Sequence, residues 1–245
     1  MHILVTRPDA DAAELRIALE AQGHEVIVEP LLAIETLPAE AKVLEGACGV
    51  IATSRNSLRA LAENEALTAA KELPLFCVGP ATTELARTLG FQRIIAGEGS
   101  ASELVPLILG SKVGKKGYLV HVSGEEIALD LVGKLGARGI EVRRLAVYRA
   151  VAANTLRPQT ARAIANRWLD AVILMSPRTA EIFTDLVDKA GLQEPARRLA
   201  YVCLSANVAG ALKGLDPARV NIAVRPNSSG ILGAVGQVAT RSSGV

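Results

Sequence analysis

The sequence predicts an α/β protein made of two doubly wound parallel-sheet domains. Short β-branched runs alternate with amphipathic stretches along most of the 245 residues, which is the signature of βαβ units. The pattern also repeats once. Residues 140–151 mirror residues 24–35 at an offset of 116, and Ala171–Ala180 follow the plan of Gly49–Leu58 at an offset of 122. This is a two-fold internal duplication and not a short solenoid period. Finally, the apolar runs end in Ser, Thr, Asn and Gly turns that read as helix starts.

In chain order, residues 1–6 read as a buried strand, and Pro8-Asp9-Ala10-Asp11 opens a helix. Leu15, Ile17, Ala18 and Leu19 give that helix its apolar side and Gly23 ends it. Residues 25–35 read as one strand, so the opening is a βαβ unit with a right-handed crossover. Pro38–Leu44 reads as a short helix or a loop. Gly49–Ser54 is a strand with a polar end, and Ser54-Arg55-Asn56-Ser57 opens a helix over Leu58–Glu63. Leu75–Val78 is a strand, with Gly79-Pro80-Ala81-Thr82-Thr83 starting a helix to Gly90. Arg93–Ala96 is a short strand, and Gly97-Glu98-Gly99-Ser100 caps a helix over Glu103–Leu109. Gly110–Gly117 reads as a solvated turn carrying three lysines.

The plan then restarts. Gly117–Glu126 matches the first strand and turn, Leu129, Val132 and Leu135 mark a helix, and Gly136 and Gly139 end it. Leu199–Leu204 with Ser205-Ala206-Asn207-Val208 follows Leu75–Thr82, and Val220–Val224 with Asn227-Ser228-Ser229-Gly230 follows Arg93–Ser100. Each half thus supplies about five strands to a flavodoxin-like sheet. Thr240–Val245 reads as a disordered tail.

Composition removes several function classes. Half of the residues are hydrophobic, so a large core is expected, but aromatics make up only 3% and the core must come from Ala, Leu, Val and Ile. With 27 basic and 25 acidic residues the net charge is +2. That is not the footprint of a nucleic-acid binder, and stacking side chains are scarce. No apolar run approaches the ~20 residues that span a bilayer. The opening Met1–Thr6 reads as a strand and not as a leader, so a cytoplasmic location is expected. Cys48, Cys77 and Cys203 are isolated in or beside apolar runs and read as reduced, buried thiols. His2, His24 and His121 form no ligand spacing with them, so no metal is expected.

In doubly wound sheets ligands sit outside the carboxyl ends of the strands. The polar turns fall there: Thr6-Arg7, Thr53-Ser54-Arg55-Asn56, Gly79-Pro80-Ala81-Thr82, Gly97–Ser100, Ser123-Gly124, Ser176-Pro177, Ser205-Ala206-Asn207 and Asn227-Ser228-Ser229. Each is read as opening a helix, with backbone N–H groups at the positive end of its dipole. Several such turns together suit a small polyanion, whereas N-capping explains any one of them alone. There is no GxxxxGK[ST] loop, no GxGxxG after the first strand and no GxSxG around Ser176. The residues by themselves point to a two-domain binder of something small and anionic, and the reaction stays open.

Taken together, Ile3-Leu4-Val5-Thr6-Arg7-Pro8, Gly23 followed by Pro30-Leu31, Thr53-Ser54-Arg55-Asn56, Val78-Gly79-Pro80-Ala81-Thr82, Gly136 to Val147-Tyr148-Arg149, and Ser176-Pro177 resemble the uroporphyrinogen-III synthase family. The resemblance covers nearly the whole chain. It implies a domain from residues 1–34 plus 151–245, a second from 35–150, and a two-stranded β-ladder where the chain crosses between them. It implies a cofactor-free, monomeric enzyme that converts hydroxymethylbilane, a linear tetrapyrrole rich in carboxylates, into the cyclised isomer with its last ring inverted. The substrate would lie in the interdomain cleft.

The same resemblance implies that Tyr148 assists the leaving hydroxyl, the alternative being a packed strand tyrosine. Thr82 and Ser54 match positions near substrate. Arg7, Arg55, Asn56, Gly79, Ser123, Gly124, Ser176, Ser205 and Asn207 complete the expected binding set. The chain departs from the family pattern at Ser205-Ala206-Asn207-Val208, where Gly-x-Thr-Thr is usual and Asn207 is a candidate replacement cap. It departs again at Ser123, where an arginine commonly precedes the glycine. A non-catalytic tetrapyrrole or small-anion binding protein on the same scaffold is the alternative. A periplasmic-type binding protein is the third reading.

Overall fold

A computed structural model describes residues 1–98, 101–111, 113, 117–127 and 129–242, with side chains up to residue 240. Its strands are β1 (His2–Val5), β2 (Glu25–Val28), β3 (Leu32–Thr36), β4 (Ala47–Ala52), β5 (Leu75–Val78), β6 (Ile94–Gly97), β7 (Tyr118–Gly124), β8 (Val142–Ala152), β9 (Ala171–Leu174), β10 (Ala200–Cys203) and β11 (Arg219–Ile222). The helices are α1 (Asp9–Glu20), α2 (Arg55–Ala62), α3 (Ala66–Lys71), α4 (Gly79–Thr88), α5 (Leu104–Gly110), α6 (Leu131–Gly136), α7 (Pro158–Ala165), α8 (Pro177–Lys189), α9 (Gln193–Arg197), α10 (Ala206–Gly210) and α11 (Ser228–Ser242).

The chain divides into two units, Met1–Ala33 with Val151–Val245, and Ile34–Ala150. In the first, the strand order is β11-β10-β9-β1-β2, with every pair parallel. Its central strands are apolar on both faces because helices cover both faces. Leu4, Val172 and Tyr201 pack into one layer, and Ile3, Val5, Ile173 and Val202 into the other. In the second unit the order is β3-β8-β7-β4-β5-β6. Val50, Val120 and Val122 fill one layer, and Ile51, Phe76 and Leu119 the other. Apart from the edge strand β3, the two orders are the same: β6-β5-β4-β7-β8 beside β11-β10-β9-β1-β2.

Both strands that span the unit boundary, β3 and β8, are neighbours in the six-stranded sheet. The Leu37 N–H donates to the Val147 carbonyl at 2.8 Å, and the Ala153 N–H to the Leu31 carbonyl at 3.0 Å. Partner numbers fall on one strand as they rise on the other, so this pair runs antiparallel.

Several expectations are corrected. Residues 25–35 are two strands in two sheets, not one. The break falls at Glu29-Pro30-Leu31: Pro30 has no N–H for a ladder, and the Glu29 carboxylate turns inward. There Glu29 is 1% exposed and accepts from the Arg157 N–H at 3.1 Å and from the Thr160 hydroxyl. It thereby serves the start of α7, which has no side-chain cap of its own. Helices α3, α7 and α9 were not expected; they span only six, eight and five residues. The turn Ser123-Gly124 opens no helix: Gly124 is still strand, and the helix begins at Leu131, capped by Asp130, whose side chain accepts from the Gly133 N–H at 2.8 Å. Thr240–Ser242 are not a loose tail but the last turn of α11. Residues 243–245, and the residues Gly99 and Ser100 expected to cap α5, lie outside the described residues.

Candidate active site

In the second unit the chain first places β4, β5 and β6 to one side, then returns to place β7 and β8 on the other. Strands β4 and β7 therefore flank a topological switch point. Their carboxyl ends diverge into loops that run apart, and a crevice forms between them. There a hollow of about 250 Å³ is lined by Thr53 and Ser54 after β4, by His121, Ser123 and Gly124 of β7, by Ala101 of a short 3-10 turn, by Glu126, Ile127 and Leu129 from the loop after β7, and by Tyr148 of β8. Four expected site residues meet here: Ser54, Ser123, Gly124 and Tyr148.

Tyr148 reaches the hollow because of a bulge. Ser123 pairs with Ala146 but Gly124 pairs with Tyr148, so β8 carries one residue more than β7 over this step. A bulge re-aims the side chain that follows it. Its ring then passes over Gly124, where a Cβ would lie 2.7 Å from Tyr148 Cζ and 3.0 Å from its hydroxyl oxygen. Glycine at 124 is what lets the ring lie there. The body of Tyr148 packs against the apolar layer of Val122 and Val147. Among the described residues its hydroxyl has no hydrogen-bond partner.

His121 also lines the hollow. It is 1% exposed, and neither ring nitrogen has a hydrogen-bond partner. Its pKa is pushed down to about 4, first by burial and then by the charge of Arg144. Arg144 sits opposite His121 in the β7–β8 register. Its guanidinium donates to Ser123 Oγ at 3.0 Å and to the carbonyls of Gly124 and Glu125.

The other expected residues divide by what their own helices ask of them. Ser54 accepts from the Ser57 N–H at 3.1 Å and caps α2, while Asn56 Oδ1 accepts from Arg59 at 3.0 Å. Ser176 caps α8 in a reciprocal capping box with Thr179. Ser205, and not Asn207, caps α10, accepting from the Val208 N–H at 3.5 Å; Asn207 is exposed within the first turn. Thr82 is no cap either: it is buried inside α4, whose N-cap is Val78 and carries no capping side chain. Gly79 starts α4 with a φ of +73°, a left-handed conformation that glycine tolerates. Arg7 pairs with Asp11 at 3.4 Å. Thr6 is buried and its hydroxyl donates to the Ile173 carbonyl at 2.8 Å, tying β1 to β9 at the switch point of the first unit. Arg55 lies in the first turn of α2.

The cysteines are reduced. Cys77 and Cys203 are buried and Cys48 is half-buried. Burial raises all three thiols, Cys203 to about 12, which is opposite to what a nucleophile needs. Among the described residues no three His, Cys, Asp or Glu side chains cluster to hold a metal, and no helix is long and apolar enough to cross a membrane.

The family model described as uroporphyrinogen-III synthase HemD matches residues 13–233. The chain belongs to the uroporphyrinogen-III synthase family. Its fold is similar to that of uroporphyrinogen-III synthetase from Helicobacter pylori, with a TM-score of 0.68 at 16% identity over 97% of this chain and 99% of that one. It is also similar to a mutant uroporphyrinogen III synthase from Thermus thermophilus, with a TM-score of 0.58 at 16% identity over 98% and 99%. At such identity the likeness speaks for the fold alone, an α/β fold with parallel sheets. No curated protein matches the chain.

For this synthase-family chain, reading the sequence missed His121 and Arg144. The signal for His121 was present: it is the one titratable residue in the run Leu119-Val120-His121-Val122, and a strand covered on both faces leaves such a residue nowhere to go but inward. Arg144 gave no signal, because only the register with β7 sets it beside Ser123.

Proposed function

We infer that the chain converts hydroxymethylbilane into uroporphyrinogen III, as a cyclising lyase of tetrapyrrole biosynthesis. The family match over residues 13–233 carries this reading. In the reaction, the hydroxymethyl group of the first ring loses its hydroxyl as water, leaving an electron-poor azafulvenium. The last ring attacks it through its substituted carbon to form a spiro intermediate. Fragmentation and reclosure then give the inverted isomer, with water as the net loss.

Tyr148 is assigned to the leaving hydroxyl, donating its phenolic proton or a hydrogen bond. Its unpartnered hydroxyl, its bulge-set direction and its place in the lining of the hollow support that role. Ser54, Ser123 and Gly124 are assigned to substrate binding at the same hollow. The arginine usual before the glycine is absent at Ser123, and Arg144 brings a guanidinium to the same turn from the next strand. At the uncapped start of α4, Gly79 is assigned to carboxylate binding through its backbone N–H and Thr82 through its hydroxyl. Arg7, Arg55, Asn56, Ser176, Ser205 and Asn207 remain proposed contacts.

The two doubly wound domains, their descent from one duplicated segment and the β3–β8 ladder belong to the same proposal. The matching strand orders support them. That the enzyme acts as a cytoplasmic monomer and that it needs no cofactor also belong to the proposal. Holding the chain of rings in a near-attack shape is worth ~7–11 kcal/mol of barrier in favourable cases, so positioning supplies much of the catalysis.

The deciding experiment supplies hydroxymethylbilane generated in situ and separates the oxidised products. Formation of the type III isomer is expected. Only the spontaneous type I isomer, with the protein folded, refutes the assignment and leaves a non-catalytic binding protein.

A further inference from the structure

We propose that the hollow of the second unit receives one pyrrole ring, and that an unprotonated nitrogen of His121 accepts the hydrogen bond from that ring's N–H. The hollow, at about 250 Å³, falls below the ~300–1,000 Å³ of pockets that engulf drug-sized ligands. It suits one ring with its substituents and is far too small for four. Its lining is mixed in the way a pyrrole requires. Ile127, Leu129, Ala101 and the Tyr148 ring offer apolar surface to the flat faces, and a single π-donor ring fits beside an aromatic.

The polar demand of a pyrrole is one donated hydrogen bond. His121 has the matching vacancy. Both nitrogens of its ring are buried and lack partners among the described residues, and native proteins seldom leave such groups so unless a ligand or water completes them. Burial and the neighbouring Arg144 charge keep the imidazole neutral, so one nitrogen carries a free lone pair. A carboxylate fits less well at this depth. The Glu126 carboxylate already stands in the same lining and would repel it.

This deepens the reading of the reaction above, and only the identity of the ring rests on it. The test uses the full chain labelled with ¹⁵N-histidine at pH 7.5. The sequence holds three histidines, so variants His2→Gln and His24→Gln assign the His121 ring signals without touching the hollow. Pyrrole, N-methylpyrrole and benzene-1,3,5-tricarboxylate are added in turn. Pyrrole is expected to move the unprotonated His121 nitrogen upfield, while N-methylpyrrole, of the same ring but without a donor, leaves it in place. No response to pyrrole, an equal response to N-methylpyrrole, or a response to the tricarboxylate alone overturns the proposal.

In turnover, His121→Leu is expected to raise KM about tenfold with kcat kept, the size of one lost hydrogen bond. His121→Gln, which restores an acceptor, recovers most of the loss. Equal KM in wild type and His121→Leu also overturns the proposal. A wild type that yields only the type I isomer removes the reaction, while the pyrrole titration still decides His121.

Discussion

Acid titration isolates His121 from everything else in the fold. The perturbation is His121→Leu, compared with wild type across pH. In the folded chain the imidazole is held at about 4, against 6.5 for the free side chain. The folded pKa is the lower one, so the unfolded chain binds the proton more readily between these values. Stability from this site is therefore full above pH 6.5 and lost as pH falls toward 4. At ~1.4 kcal/mol per unit, the loss is roughly 2 kcal/mol at pH 5 and about 3 kcal/mol at pH 4. The carboxylates titrate in both proteins and cancel in the difference. Urea unfolding followed by circular dichroism at pH 7, 5 and 4 is fitted transition by transition, since two units need not unfold together. The advantage of wild type over His121→Leu should shrink, or its disadvantage grow, by those amounts. A difference that stays flat with pH refutes the buried, neutral imidazole and the reasoning built on it.

Other substitutions test the site and its supports. Tyr148→Phe should lower the rate of type III formation by about 10²–10⁴-fold if its proton is used, with the unfolding midpoint nearly unchanged; an unaltered rate removes Tyr148 from the mechanism. Gly124→Ala places a methyl carbon 2.7 Å from Tyr148 Cζ, so the ring must swing aside, and at least about a tenfold loss of kcat is expected at nearly constant stability. Wild-type turnover in that variant would show that the ring's position over Gly124 is irrelevant. Glu29→Ala leaves the Arg157 N–H and the Thr160 hydroxyl without their buried acceptor and should cost about 2–4 kcal/mol in urea unfolding. A loss below the precision of that measurement would mean that water replaces the carboxylate at no cost.

Much of the layout was legible because parallel sheets covered on both faces need continuous apolar runs. Ile3-Leu4-Val5, Val50-Ile51-Ala52 and Val172-Ile173-Leu174 announce themselves in that way, and Ser54 and Ser176 announce the helices they cap. The run 25–35 misled because its apolar residues continue through Pro30 while the chain changes sheet. What ends β2 is a bond made 131 residues away, between Glu29 and Thr160, and no local pattern reports it. Asn207 misled for a smaller reason: Ser205 stands two residues earlier, at the position whose side chain reaches the free N–H groups.

The sequence alone determined the α/β class and the polar turns at the strand ends, because each follows from periodicity or from the demands of a local helix start. It determined Tyr148 as a candidate only through family resemblance. The tertiary structure decided which turns meet. Strand order put Ser54 beside Ser123, one extra residue in β8 aimed Tyr148 over Gly124, and sheet register set Arg144 next to a histidine that burial keeps neutral. These are relations between distant segments, fixed by hydrogen-bond register and packing, and residue types read along the chain do not encode them one by one.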